Sequence, residues 1–110
     1  MSISNRNLVR QRLPDRRGSE TFTLECGGLA YVATVSFFDD GRLGEVFLTN
    51  HKAGSSAGIM ASDAAIAASL ALQYGCPLDV IRKALSRDSR GRATGPLGAA
   101  LDLIADEDAP

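Results

Sequence analysis

The stretch from Asn50 to Gly58, NHKAGSSAG, holds the residue types best suited to chemistry in this chain of 110 residues. Gly54-Ser55-Ser56-Ala57-Gly58 satisfies G-x-S-x-G, the strand-to-helix turn that presents a hydrolase serine, with Ser56 in the nucleophile's place. That chemistry needs a base placed after the serine in the chain, and the single histidine, His51, precedes Ser56. The order of residues and the short chain both speak against a serine hydrolase. A Walker A phosphate loop puts lysine after its glycines, whereas Lys52 comes before Gly54. A more general property survives both tests. A Gly/Ser-rich helix entrance exposes unpaired N–H groups and the positive end of the helix dipole. Lys52, Ser55 and Ser56 can therefore hold an anion. Equally, Ser55 or Ser56 can cap the helix while Gly54 and Gly58 permit close packing, and the two roles can coexist.

Other reactive side chains form weaker constellations. Asp39, Asp40 and Glu45 would suit a carboxylate pair, but a DDGR turn already accounts for the aspartates. Asp63 lies among alanines, and its face is not fixed by the sequence. Arg87, Arg90 and Arg92 share a polar loop and could clamp a phosphate, or simply be solvated. His51, Cys26 and Cys76 have no metal-ligand spacing, so no metal is expected, and the two cysteines read as structural thiols of a reducing compartment.

These residues need a scaffold, and the chain has the patterns of one. Residues 1–19 carry Arg6, Arg10, Arg12, Arg16 and Arg17 with the breakers Pro14 and Gly18, which marks a basic arm, flexible or wrapped on the surface. A single domain is expected over residues 20–105, followed by an acidic tail at 106–110. TFTLEC alternates Phe22, Leu24 and Cys26 against polar neighbours, as a half-buried strand does. Gly27-Gly28 turns the chain into LAYVATVSFF, and Asp39-Asp40-Gly41-Arg42 turns it again into GEVFLTN. The period then becomes helical. Ser55 to Tyr74 forms a long Ala-rich helix with Ile59, Met60, Ile66, Leu70 and Tyr74 at helical spacings, stopped by Gly75. Its many small residues let another backbone approach closely, which suits a central helix or one packed on its own copy. Pro77 and Pro96 open two shorter helices, with stripes of Leu78, Ile81, Leu85 and of Leu97, Leu101, Ile104. The fold class is therefore α+β: a three-stranded antiparallel meander followed by one long and two shorter helices.

Composition bounds the function classes. Hydrophobic residues are 45% of the chain and charged residues 23%, with a net charge of −1. That balance offers no overall attraction to nucleic acid, and nucleic acid is not an expected partner. With no apolar run near the ~20 residues that span a bilayer and no start resembling a secretory leader, the expectation is a cytoplasmic protein without membrane contact.

Three blocks, LPDRRG, DDGRLGEVFLTNHKAG and LALQYGCPLDVIRKAL, go beyond these generic patterns. Together with their spacing they resemble the C-terminal region of class II, cobalamin-dependent ribonucleotide reductases, the region known as the TSCPD domain. The resemblance runs from about Leu13 to Leu85. It implies a link to nucleotide reduction and DNA precursor metabolism. In the full-length relatives it also implies cobalamin, which is not expected as a cofactor here, because 110 residues cannot form the catalytic barrel. The literal Thr-Ser-Cys-Pro-Asp string is absent, and no catalytic residue carries over. Arg42, Gly44, His51, Lys52 and Gly54 match the motif and are expected to share a surface near the strand-to-helix junction. With Ser55 and Ser56, they make Arg42, His51, Lys52, Gly54, Ser55 and Ser56 the expected ligand-binding set. The functional expectation is a stand-alone, non-catalytic relative that binds a nucleotide or other phosphate-bearing molecule, as a homo-oligomer. The alternative is a module that docks on or assists a reductase, or that sequesters a nucleotide.

Overall fold

A computed structural model describes residues 9–52 and 54–107; Arg6 and Asp108 of the charged termini lie outside that range. Three strands, β1 (Ser19–Cys26), β2 (Leu29–Phe37) and β3 (Leu43–Asn50), form an antiparallel sheet in the order β1-β2-β3. They are followed by α1 (Ser56–Gln73), α2 (Leu78–Ala84) and α3 (Pro96–Glu107). This is the α+β meander-then-helices architecture that the alternation and its change of period indicate.

The two hairpins follow from their turn residues. Cys26 pairs with Leu29 across Gly27-Gly28, whose φ values of 60° and 79° suit the mirror-image turn that fits strand twist. Between β2 and β3, Gly41 N–H donates to Phe38 O at 2.9 Å and Phe38 N–H to Arg42 O at 2.8 Å. Gly41, at φ 91°, thus closes a tight turn with a register shift at Ser36/Phe37.

One face of the sheet is buried. Leu24, Tyr31, Ala33, Val35, Val46 and Leu48 point into a core shared with Ala61, Ala65, Ala68 and Leu72 of α1 and with Leu97, Leu101 and Ile104 of α3. Leu78, Ile81 and Leu85 pack on its margin. On the opposite face Thr21, Thr23, Phe47 and Thr49 are exposed.

The helix α1 comes within hydrogen-bonding reach of the β3 backbone, across an inner face made mostly of small residues. Val46 turns its N–H and C=O away from β2, and Ser69 receives them: the N–H donates to Ser69 Oγ at 2.8 Å, and the hydroxyl lies 2.9 Å from Val46 O. Gln73 Nε2 donates to Gly44 O at 2.9 Å. A sheet edge normally exposes such groups to other chains, and here two helix side chains close it. The consequence for the sequence reading is specific. Ile59, Ile66, Leu70 and Tyr74 do share a helical stripe, but that stripe is exposed, and it is the alanine face that meets the sheet. Side chains as large as Leu or Ile in place of Ala65 or Ala68, the residues next to Ser69 on the inner face, would push α1 away from Val46.

Residues 9–18 run along the body. Gln11 N–H donates to Gln73 O at 2.7 Å, Arg10 Nε to Gln73 Oε1 at 2.6 Å, and Phe37 N–H to Gly18 O at 3.0 Å. Arg17 pairs with Glu45 at 3.2 Å. Both cysteines are free thiols and only half-buried. Among the described residues no helix is long and apolar enough to cross a membrane.

Candidate functional site

The β3–α1 junction is built by local backbone chemistry. Asn50 ends the strand and its Oδ1 accepts Lys52 N–H at 2.7 Å, the self-turning habit of Asn. Lys52 O then accepts Ser55 N–H at 3.0 Å. Gly54, at φ 79°, supplies the left-handed step that a side chain would resist. Ser55 is the cap: its backbone is extended, and its Oγ accepts Gly58 N–H at 3.1 Å. A Cβ on Gly58 would stand 3.0 Å from that Oγ and 3.4 Å from Lys52 O, so glycine leaves room for the cap.

The cap uses one helix N–H and leaves others. Among the described residues, Ser56 and Ala57 N–H have no acceptor, and they lie at the positive end of an 18-residue helix. Ser56 is exposed and its hydroxyl makes no hydrogen bond among the described residues, in keeping with a helix start. Beside this entrance lies an open cleft of about 320 Å³ whose walls include Leu48, Asn50, Lys52, Gly54, Ile59 and Asp63. The side chains of His51 and Lys52 are exposed and make no hydrogen bond or ion pair among the described residues.

Of the expected set, His51, Lys52, Gly54, Ser55 and Ser56 meet here, and Arg42 does not. It lies beyond the far end of β3, and an eight-residue strand separates the two places by about 25 Å. Its guanidinium is already engaged: Nε to Asp40 Oδ2 at 2.7 Å, Nη2 to Gln11 Oε1 at 2.9 Å, and the plane over the Phe38 ring at 4.7 Å. The Arg42 backbone N–H, and then its side chain, hold the Asp40 carboxyl below its ordinary pKa. Gly44 belongs to this second corner as well. A Cβ there would lie 2.8 Å from Phe38 Cε2 and 3.0 Å from Leu13 Cδ2. The matched positions are thus two surfaces at opposite ends of one strand, not one surface at the junction. A wider cavity of about 630 Å³ lies at the far corner, with Asp40, Arg42, Leu72, Cys76, Pro77 and Ile104 among its walls.

The loop arginines do not form a free clamp. Arg87 grips Asp102 with both guanidinium nitrogens, at 2.8 and 2.9 Å, and donates to Arg82 O and Gly91 O. Arg82 Nε adds a third bond to Asp102 at 2.9 Å. Those bonds, Arg87's first, lower the Asp102 carboxyl pKa from 3.8 to about 2. Arg92 pairs with Asp88 at 3.1 Å. Asp102 is therefore the anchor of the α2–α3 connection. Asp63 is exposed. Among the described residues no three His, Cys, Asp or Glu side chains gather as metal ligands would. The residues that sequence reasoning passed over are Asn50, Ser69 and Gln73. Asn just before a Gly/Ser-rich segment was a readable turn signal. Two polar residues inside a helix carried no comparable cue.

Among known protein families, the chain matches the TSCPD domain over residues 6–106. It is 44% identical over 70 residues to a vitamin B12-dependent ribonucleotide reductase of Bradyrhizobium diazoefficiens, 64% of this chain and 6% of that protein. Reductases of the same description from Agrobacterium fabrum, at 43% over 70 residues, and from Streptantibioticus cattleyicolor, at 42% over 71, are covered over 6% and 12% of their lengths. In each, 64% of this chain is matched, so it corresponds to a small part of the curated relatives. No solved structure matches the chain. The similarity links it to vitamin B12-dependent ribonucleotide reductases, and with nearly all described residues inside the family match, the chain belongs to the TSCPD domain family.

Proposed function

We propose that this TSCPD domain is a non-catalytic binding module in nucleotide metabolism, taking a nucleotide or another phosphate-bearing ligand at the entrance of α1. One observation carries the reading. Within the block from Asp39 to Gly54 that resembles the reductases, Asp40, Gly41, Arg42, Gly44, Val46 and Asn50 each have a structural task, whereas the side chains of His51 and Lys52 bond to nothing among the described residues. They precede a helix entrance where Ser56 and Ala57 N–H have no acceptor among the described residues, the arrangement that favours a phosphate. In this pose Ser56 and Ala57 N–H and the Lys52 ammonium take the phosphate oxygens. Asp63, on another wall of the cleft, faces the sugar hydroxyls, which a carboxylate accepts well. Arg42 takes no part.

The test is thermal unfolding with a panel of ribonucleotides, deoxyribonucleotides, cyclic nucleotides and inorganic phosphate. A ligand that binds only the folded chain stabilises it by about 2.7 kcal/mol at a hundred times its dissociation constant. The expected result is a rise in Tm with at least one nucleotide, lost in Lys52→Ala, and recovery of the nucleotide unchanged after denaturation. No rise across the panel overturns the binding role, and a chemically altered nucleotide overturns the non-catalytic one.

A further inference from the structure

A cavity of about 390 Å³ lies on the opposite side of α1 from the cleft beside Lys52, and the two share no wall. It opens between the start of β2, the first half of α1 and the entrance of α3. Met60, Ala61, Ala64, Leu85 and Leu97 make it apolar, and no charged residue lines it. Two sets of polar groups at this cavity lack partners. Tyr31 lines it and is only 4% exposed, yet its hydroxyl makes no hydrogen bond among the described residues. Since no described side-chain nitrogen or oxygen is sealed from solvent without a partner, that hydroxyl opens on free space, which the cavity supplies. The entrance of the 12-residue α3 forms another wall. Ala99 N–H bonds to Gly95 O at 3.1 Å, whereas Leu97 and Gly98 N–H have no acceptor among the described residues. That wall is held in place: Thr94 N–H donates to Ser86 O at 3.1 Å, Arg87 pairs with Ala93, and Arg87 grips Asp102.

We propose that this cavity binds a small monocarboxylate with an apolar tail. Leu97 and Gly98 N–H and the Tyr31 hydroxyl donate to the carboxylate, and the tail lies between α1 and Leu85. Three donors suit the two oxygens of one carboxylate, and the positive end of α3 favours its single negative charge. A phosphate dianion brings more charge than a wall without a cation can hold, and an ammonium group finds no anion there. The cavity volume falls within the range of small-molecule pockets, toward its small end. Met60, 71% exposed in the free chain, has the flexible thioether side chain suited to closing over such a tail.

Titration of the full chain with sodium hexanoate, followed by amide proton–nitrogen NMR, tests this. The Leu97 and Gly98 signals should shift saturably below about 10 mM, a weak affinity in keeping with so small a probe. Tyr31→Phe, which removes only the hydroxyl, should raise the dissociation constant about tenfold, as expected for a hydrogen bond to a charged acceptor. Ala64→Leu, at a half-buried wall, should abolish the shifts by filling the cavity, and it decides the matter if Tyr31→Phe does not fold. Lys52→Ala should bind hexanoate as wild type does, whatever its response to nucleotides. The proposal is overturned by unmoved Leu97 and Gly98 signals, by 1-hexanol binding as tightly as hexanoate, or by unchanged affinity in folded Tyr31→Phe or Ala64→Leu. Loss of hexanoate binding in Lys52→Ala also overturns it, because the carboxylate then sits at the α1 entrance.

Discussion

The two ends of β3 come from one continuous sequence block and are built in opposite ways. At the Leu43–Gly44 end, the turn, the N-terminal segment and the last turn of α1 converge on Gln73, which is 3% exposed. Its side chain accepts from Arg10 and donates to Gly44 O, and its carbonyl accepts from Gln11. At the Asn50 end, the backbone is tied by its own short bonds while the side chains of His51 and Lys52 face outward. A sequence match cannot separate these cases, because both ends offer glycine, a basic residue and polar neighbours. Counting bonds separates them. Arg42 and Gly44 are fixed by what they hold together, whereas the Lys52 side chain bonds to nothing among the described residues.

Breaking the crowded end should cost the most. Gln73→Ala leaves Gly44 O without its donor and opens a void beneath Arg10, a combined loss of about 2–4 kcal/mol. Denaturant unfolding should show a lower midpoint at unchanged slope. An unchanged midpoint would mean that the N-terminal segment and α1 are joined by something other than Gln73. Gly44→Ala should cost somewhat less, about 1–3 kcal/mol, since Phe38 and Leu13 can shift to admit a methyl group. The same measurement reads it. A neutral result would show that the corner is looser than its contacts imply.

Acid should open a third place, the α2–α3 connection. Asp102 is 22% exposed and its folded pKa is about 2, below the ordinary 3.8, chiefly through Arg87. A carboxylate with a depressed pKa favours the folded state most above its unfolded value, and the contribution is lost as pH falls through the folded value. Stability should therefore decline between about pH 4 and pH 2. In Asp102→Asn that part of the slope should be missing, because no proton is taken up there. An identical slope in the variant would place the acid sensitivity on other carboxylates.

How much of this could be read from the sequence depended on whether a feature repeats. The strands and helices were legible because alternation and helical spacing extend over many residues, and Gly27-Gly28, Gly41 and Gly75 mark their ends where positive φ is needed. The face of α1 was not. Periodicity locates the large apolar residues, but Ala61, Ala65, Ala68 and Ser69 take most of the inner face, with Leu72, because small side chains around Ser69 let it reach Val46. Long-range pairs such as Arg87 with Asp102 and Gln73 with Gly44 lie 15 and 29 residues apart and leave no local pattern. In the candidate site, the cap and the turn were legible as local chemistry. The exclusion of Arg42 was not, since it depends on the length of a strand rather than on any residue type.

The smallest stability effect is the most informative about function. Lys52→Ala removes an exposed side chain that bonds to nothing among the described residues, so its unfolding free energy should stay within about 0.5 kcal/mol of wild type. Gln73→Ala should show the reverse profile: a weakened fold whose folded fraction still gains Tm with the nucleotide that stabilises wild type, because its lesion lies about 25 Å from the α1 entrance. The pair of variants thus crosses two readouts, stability and ligand response, over two ends of one strand. If Lys52→Ala destabilises the fold as Gln73→Ala does, Lys52 is structural after all. The two ends would then differ in the number of their bonds but not in kind, and the helix entrance would lose its claim on a ligand.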